Sequence, residues 1–491
     1  MMYDKLANIL FIFFIIIKTY LFFDICYSKE LQIDEVSTYM QCNQTSVFDV
    51  TKSINTGFNL IPGFYFYVTY YLNYLIGDPQ IAPRVINILA LIILTTFIYL
   101  RIKVRHNSSI SLYYVVLHYA VFNLTFYTIS EARPYFLYFI IFYSLITTIY
   151  TFKNNNLDKF LIISSTVILL NIFHFSLLYI LGVIISLFLL YHVKRDINLK
   201  KIICFLIIGL VIGSLINTYT AISQYLNSYN ISLTDNKISF LQFKENINSL
   251  FAFPFFFIIS LFLISLFGNF KFKKSLIQNG ESYYILIISC TAFILTSFLL
   301  YIIAHLTHKS VVYTRYIIPS FFIFTPFILL ISSFTFEVTK NFKNKSFVIL
   351  CIFMMLNFDL FCQFKTWKNL YVSNQRTSLI NNFIIDNSIV ITHNIELAKR
   401  LHIYHKNCTS YLLVCNNDIK EYFYRFSKSL NVITIHDLYS LDFDNHNIIL
   451  FTGNKELDKS LPIFTNKSIS LFEAPENGFT KYTIVAKLKS V

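Results

Sequence analysis

The chain has 491 residues, 56% of them hydrophobic and only 13% charged. An ordinary soluble domain carries about twice that share of charge, so the composition excludes a soluble globular enzyme. The formal net charge of +14 would suit a nucleic-acid partner. In so apolar a chain, however, the information lies in where Lys and Arg fall between the hydrophobic runs.

Runs of roughly 20 apolar residues, enough to cross a bilayer core of about 30 Å, recur from the start. The first, 6–23, has no small-residue cleavage site and is long for the apolar stretch of a signal peptide, so it reads as a span. The loop after it, 24–83, contains ELQIDEVSTY (30–39), which sets Asp34 and Glu35 side by side just past the span. Two readings of this pair stand. One is a solvated loop pair. The other is a general base that accepts a proton from an attacking hydroxyl or amine.

Later in the same loop, PGFYFYVTYYLNYLIG (62–77) is apolar but short for a crossing. If it crossed, the basic stretch RIKVRH (101–106) would end up outside, against the charge rule. It is therefore expected to be a juxtamembrane helix at the outer interface, with its Tyr residues at headgroup depth. Arg84 opens the second span and is expected to snorkel to the headgroups.

The remaining spans are read at 84–100, 110–129, 134–152, 159–174, 176–191, 201–220, 250–268, 283–303, 316–335 and 346–363, about eleven in all. Alternate loops are basic: RIKVRH, TFKNNNLDK (151–159), HVKRDINLKK (192–201), NFKFKK (269–274) and TKNFKNK (339–345). Basic loops stay in the cytoplasm. The N-terminus is then inside and the C-terminus outside. Phe and Tyr abound, at 54 and 35, through interfacial anchoring or through a genome that favours Phe, Ile, Asn, Lys and Tyr.

Polar residues out of place gather on the outer side. SEARPYFLY (130–138) brings Glu131 and Arg133, as a helix-end salt bridge or as a phosphate ligand. His174 sits at the outer end of the fifth span, where packing or hydrogen bonding is the plainer role. HLTHKSVVYTRY (305–316) places His305, His308, Lys309 and Arg315 outside, against the charge rule, with Tyr316 a further site candidate where the next span opens. A polyanion held at the outer face explains that excess. A basic loop too short to affect topology is the alternative. Acids that activate a nucleophile and cations that hold a leaving phosphate fit one reaction, transfer of a group from a lipid-linked phosphate.

From residue 364 the composition turns polar and the apolar runs fall to strand length. Strands are expected at 388–393, 431–437, 447–453, 468–474 and 482–490, with amphipathic helices at 395–406 and 419–430. The chain thus divides into a membrane domain, 1–363, and a small extracytoplasmic α/β domain, 364–491. Cys204, Cys290 and Cys351 fall in spans as small apolar residues. Cys26 with Cys42, and Cys408 with Cys415, are candidate disulfides if the outer compartment oxidises. No Cys/His metal spacing, GxGxxG or P-loop occurs.

Asp34-Glu35, IPGFYFYVTYYLNYLIGD (61–78) with Pro83-Arg84, SEARPYFLY, FHFSLLY (173–179) and YTRYIIPSFF (313–322) come in an order that resembles the GT-C membrane glycosyltransferases. The nearest likeness is to bacterial protein O-mannosyltransferase-like (glycosyltransferase family 39-like) and RgtA/B/C/D-like enzymes. The resemblance covers residues 1 to about 340 and, in a general way, the α/β tail. It implies an all-α polytopic GT-C domain that transfers a sugar from a polyprenyl-phosphate donor to a glycan, lipid or protein acceptor, with inversion. That transfer would take place on the outer face of the cytoplasmic membrane, with or without a divalent metal.

The resemblance maps the first-loop acid onto Asp34, with Glu35 beside it, and the phosphate-facing arginines onto Arg133 and Arg315. Relatives carry His-Pro-Pro before the Tyr-rich helix, where this chain has Leu60-Ile61-Pro62. The departure bears on the acceptor side. A polyprenyl-linked glycan polymerase or ligase, a lipid-linked oligosaccharide transporter and an inactive scaffold are the competing readings. A transporter would show internal repeats and midplane charges. Neither is read in the sequence.

Overall fold

The described residues of the computed structural model are 2–28, 31, 33–56, 61–78, 81–106, 108–121 and 131–228. A few isolated positions, and strands between 388 and 488, complete them. Ten helices are described: α1 Met2–Ser28, α2 Ile33–Cys42, α3 Val47–Asn55, α4 Gly63–Ile76, α5 Ala82–Arg105, α6 Ser108–Val121, α7 Tyr135–Tyr150, α8 Asn156–Ile172, α9 Ser176–Lys194 and α10 Ile197–Ser228. Four stretches are long and apolar enough to cross a membrane: Lys5–Tyr27, Ala82–Arg105, Ser176–Lys194 and Ile197–Asn227. The spans read at 250–268, 316–335 and 346–363 lie outside the described residues, as does 283–303 apart from Thr296, Leu299 and Ile302.

The helices run up and down, which gives the bundle two ends. Asn8 of α1 meets α5 at one end, accepting from Tyr99 Oη at 2.7 Å and Lys103 Nζ at 3.0 Å. At the other end the carbonyl of Cys26, near the close of α1, accepts from Arg84 Nη1 at 2.8 Å. Ala7, Phe11, Phe14, Lys18, Phe22 and Ile25 are buried at helical spacing along α1, while Ile9, Ile12, Phe13, Ile16, Tyr20 and Phe23 are exposed on the other side. Such a stripe packs on protein and leaves its opposite face for lipid. α7 is apolar all round and buried at every residue, which makes it the central helix of the bundle.

α10 packs closely on α8. A Cβ at Gly209 would come within 2.7 Å of Thr166 Cβ and 2.9 Å of the Ile163 carbonyl, and one at Gly213 within 2.7 Å of Leu170 Cδ1. The two glycines, four apart, open one groove for α8. Asn171 and Asn217 add bonds across it, to the carbonyls of Gly213 at 3.4 Å and Leu170 at 3.0 Å.

α2, α3 and α4 form the segment between the first two long helices. Ser46 caps α3 by accepting from the Asp49 amide at 3.2 Å. α4 ends on Gly77 at φ 72, a backbone conformation that glycine adopts without strain. The expected helix at 62–77 is therefore present. Tyr71, Tyr74 and Leu75 are exposed on it, while Tyr65 and Phe66 are buried.

Residues 388–488 form a six-stranded sheet in the order β3-β2-β1-β4-β6-β5. Its strands are β1 Ser388–Thr392, β2 Thr409–Val414, β3 Asn431–Thr434, β4 Asn447–Thr452, β5 Ile469–Glu473 and β6 Ile484–Leu488. The first four run parallel, with Ile391 opposite Tyr411 and Leu450, and Leu412 opposite Val432. β6 pairs antiparallel with β4 and with β5. All five expected strands are present. β2 is additional, because Thr-Ser-Tyr-Leu-Leu-Val offers too short an apolar run to register between two helical patterns. The expected helices at 395–406 and 419–430 lie outside the described residues apart from Ala398, Lys420 and Leu430; of these, Ala398 and Lys420 are helical.

Leu31, Val36, Met40 and Ala132 share one apolar cluster with Ala398, Leu412, Leu430 and Val432. The sheet therefore sits at the Cys26 end of the bundle, on α2. Cys26 and Cys42 are buried thiols that form no disulfide with one another, which corrects the candidate bridge between them. Cys42 packs with Val50, Ile54, Ile61 and Phe66 under α3 and α4, and burial pushes its thiol well up from the ordinary range. Cys408 and Cys415 lie outside the described residues.

Candidate functional site

The acids after the first helix fall on α2. Glu35 and Thr38 are three apart and so share one face of it, and Arg84 and Asn87 share one face of α5 in the same way. Pro83 stands in the first turn of α5, where its missing N–H costs nothing and Arg84 follows at once. The two faces meet, and the 131–133 turn is wedged against both.

Arg84 Nη2 donates to Glu35 Oε1 at 3.2 Å and Oε2 at 3.4 Å. The Ala132 amide donates to Glu35 Oε1 at 2.5 Å. Asn87 Nδ2 donates to the carbonyls of Glu131 at 2.9 Å and Arg133 at 3.2 Å. Arg133 returns to α2 through Nη1, which donates to Thr38 Oγ1 at 2.9 Å, while its Nη2 donates to Tyr135 Oη at 3.3 Å. The side chains of Glu35, Arg84 and Arg133 are 1%, 0% and 5% exposed. Tyr65 closes the cluster from α4 with a 2.6 Å bond to the Pro83 carbonyl. Burial pushes its phenol well up, with Glu35 adding to the effect and Arg133 and Arg84 opposing it.

One carboxylate and two guanidiniums from three separate segments are thus held together out of water. Ionic interactions strengthen there because the surroundings screen them weakly. The burial of Arg84 corrects its expected snorkelling, since no part of it reaches headgroups. Asp34 lies beside Glu35 in the first turn of α2, and its side chain is outside the described residues. Glu131 is half-buried and joins the cluster through its backbone carbonyl. His305, His308, Lys309, Arg315 and Tyr316 all lie outside the described residues.

His174 belongs to a different network, in the turn between α8 and α9. Gln224 Nε2 donates to the carbonyls of Ile54 at 3.1 Å and Ile61 at 2.9 Å. Its oxygen is thereby turned to His174 Nε2, 2.8 Å away, which must carry the proton. His174 Nδ1 then accepts from Asn217 Nδ2 at 3.0 Å. His174 fastens α10 to the turn between α8 and α9, and Gln224 fastens α10 to the first loop, which fits the plainer role expected of His174.

Thr38, Asn87 and Tyr135 escaped the sequence reading. For the first two the signal is the three-residue offset from Glu35 and from Arg84. Lys18 also escaped it. It is a cation inside the first span, where any charge is costly, and its Nζ lies 5.6, 6.0 and 5.7 Å from the ring centres of Phe14, Phe22 and Tyr119. Among the described residues no group of three or more His, Cys, Asp or Glu is placed to hold a metal.

The sequence matches no protein-family model and no curated protein. The structure does match solved ones. ArnT from Cupriavidus metallidurans bound to undecaprenyl phosphate aligns with a TM-score of 0.57 at 9% identity, covering 97% of each chain. The same protein in the apo state aligns with a TM-score of 0.58 at 10% identity, covering 98% of each. The chain is a helical membrane protein with the GT-C fold of ArnT. The match supports that fold and not the family 39-like branch specifically.

Proposed function

We propose that this protein is a membrane glycosyltransferase that takes a sugar from a polyprenyl-phosphate donor and passes it to a glycan, lipid or protein acceptor. The observation that carries the reading is the near-full-length likeness to a structure bound to undecaprenyl phosphate. The buried Glu35–Arg84–Arg133 cluster supports it, because an anionic leaving group needs fixed cations in a dry site. In the charge-rule orientation, the end with Arg101, Lys103 and Arg105 faces the cytoplasm and the cluster faces outward. The C-terminal sheet then lies outside, over α2.

Asp34 acts as general base. The acceptor oxygen or nitrogen attacks the anomeric carbon as Asp34 takes its proton, the sugar–phosphate bond breaks, and polyprenyl phosphate leaves with the bonding electrons. Attack opposite the leaving group inverts the anomeric centre. Arg133 holds the phosphate through the planar fork that suits its oxygens, with Arg315, His305, His308 and Lys309 as further candidates. Glu35 and Arg84 frame the site. The family 39-like and RgtA/B/C/D-like branches are the nearest guides to donor and acceptor. A hexosyl or pentosyl donor fits either.

The test is incubation of purified protein in lipid nanodiscs with radiolabelled polyprenyl-phosphate sugars and a membrane extract. Transfer from at least one such donor is expected, and Asp34→Asn should abolish it while the protein still inserts. Transfer from nucleotide sugars alone, or full activity in Asp34→Asn, overturns the reading.

A further inference from the structure

Among the described residues, the sheet packs on the bundle at α2 and at Ala132, and α2 has two working sides. α2 turns about 100° per residue, which puts Val36 and Met40 on roughly the opposite side from Glu35 and Thr38. Val36 and Met40 pack in the cluster with Leu412 of β2, Val432 of β3, Ala398 and Leu430. Glu35 and Thr38 face Arg84 and Arg133. α2 is therefore clamped between the sheet and the site.

Ala132 bridges the same two sides. It is fully buried in the apolar cluster with the sheet, and its amide donates to Glu35 at 2.5 Å. Its neighbours Glu131 and Arg133 are held by Asn87 of α5. Any shift of the sheet off α2 would loosen the helix and the turn together. Both ends of the Glu35–Ala132 bond would move, and with them the Arg133–Thr38 bond. Among the described residues, the cluster is also small and separate from the main core of the bundle. Interfaces of that kind between two parts of one chain commonly allow relative motion.

We propose that the C-terminal sheet is a positioning element for the site, with Leu412 and Val432 as positioning residues that act through α2 and Ala132. Docking of the sheet sets the geometry of Glu35, Arg84 and Arg133. Undocking releases it and leaves the long helices in place. The structural half of this proposal stands on packing alone, whereas its kinetic half rests on the glycosyltransferase reading.

The test is hydrogen exchange on the full-length protein, followed by mass spectrometry, in Leu412→Asp and in the milder Leu412→Ala. Peptides covering 31–42 and 131–138 should exchange about tenfold faster or more, while those covering 156–172 and 197–220 stay unchanged. Leu412→Ile should restore protection. Unchanged exchange at 31–42 and 131–138 overturns the proposal. So does equal acceleration in 156–172 with both variants, which would mark Leu412 as a residue of general stability.

Where donor turnover is measured, Leu412→Ala should lower kcat about tenfold with donor KM within about twofold, as a misplaced but still liganded site would. An unchanged kcat with faster local exchange sinks the coupling to catalysis. Wild-type protein that shows no transfer at all, with the exchange pattern intact, instead counts against the functional reading.

Discussion

α5 carries an arginine near each of its ends, each paired with a carboxylate, and the two pairs differ in what they join. Arg84 and Arg101 are about 25 Å apart along the helix. Arg101 Nη1 meets Asp158 at 2.6 Å, with side chains 15% and 0% exposed. Asp158 also accepts from the Lys153 amide at 2.6 Å, and its own amide is capped by Asn155 at 2.7 Å. That pair fastens α5 to the short turn between α7 and α8, with the carboxylate buried and only the guanidinium partly exposed. The Glu35–Arg84 pair is sealed, and its carboxylate also takes the Ala132 amide, so it joins three separate segments. Where a carboxylate already serves a local turn, the ion pair is scaffolding. Where it holds three distant segments around two guanidiniums, it fixes a constellation, and such groupings of buried charge concentrate at functional sites.

Substitutions at the two ends separate these roles. The largest effect is expected from Arg84→Met, which leaves the Glu35 carboxylate buried without its guanidinium. Breaking such a pair costs about 3–5 kcal/mol. Thermal unfolding should register the loss, and transfer should fall more than about 100-fold through the misplaced site. Adding Glu35→Gln should recover much of the thermal stability and little of the activity. Full recovery of both would reduce the sealed pair to scaffolding and erase the contrast.

A substitution away from both ends calibrates the scale. Gly209→Val drives a side chain into Thr166 and the Ile163 carbonyl, an overpacking worth about 1–3 kcal/mol. Unfolding temperature should drop while donor KM holds. Next comes Arg101→Ala, expected to cost about 1–3 kcal/mol because Asp158 is buried but keeps the Lys153 amide as a donor. Transfer should stay within about twofold of wild type. A hundredfold loss there would make the two ends equivalent.

The smallest effect is a pH dependence at the basic end. Burial, then Arg105, hold His106 down from 6.5 to about 4, and its ring lies 2.9 Å from Tyr150 Oη. Between those values the unfolded chain binds a proton that the folded chain refuses. The stabilisation is complete above the unfolded value of about 6.5 and drains as pH falls toward the folded one. Unfolding temperature should decline over that window, and His106→Phe should flatten the decline.

Much of the fold was legible because it rests on local signals. Apolar runs located α1, α5, α8, α9 and α10, basic loops marked one end, and alternation found five of the six strands. The apolar stretch at 62–77 located α4. Parts of the buried cluster, the candidate site, were legible for a similar reason, since Glu35 and Arg133 sit in short polar motifs between apolar stretches. The pairing was not. Arg84 lies 49 positions from Glu35, and only the packing of α2 on α5 brings them together, so an arginine at a span's start read as a headgroup ligand. The burial of α7 was hidden too, because lipid and protein interior are equally apolar partners for such a helix. Sharing a loop suggested that Cys26 and Cys42 pair, yet Cys26 closes α1 while Cys42 closes α2 under α4.

The contrast between the two ends can be read directly as ligand affinity. Undecaprenyl phosphate should be titrated against purified wild type, Arg133→Ala and Arg101→Ala in the same nanodiscs. The sealed end is predicted to hold the phosphate, so Arg133→Ala should weaken binding about tenfold or more while Arg101→Ala binds as wild type does. Equal affinity across all three, or a loss confined to Arg101→Ala, would contradict it.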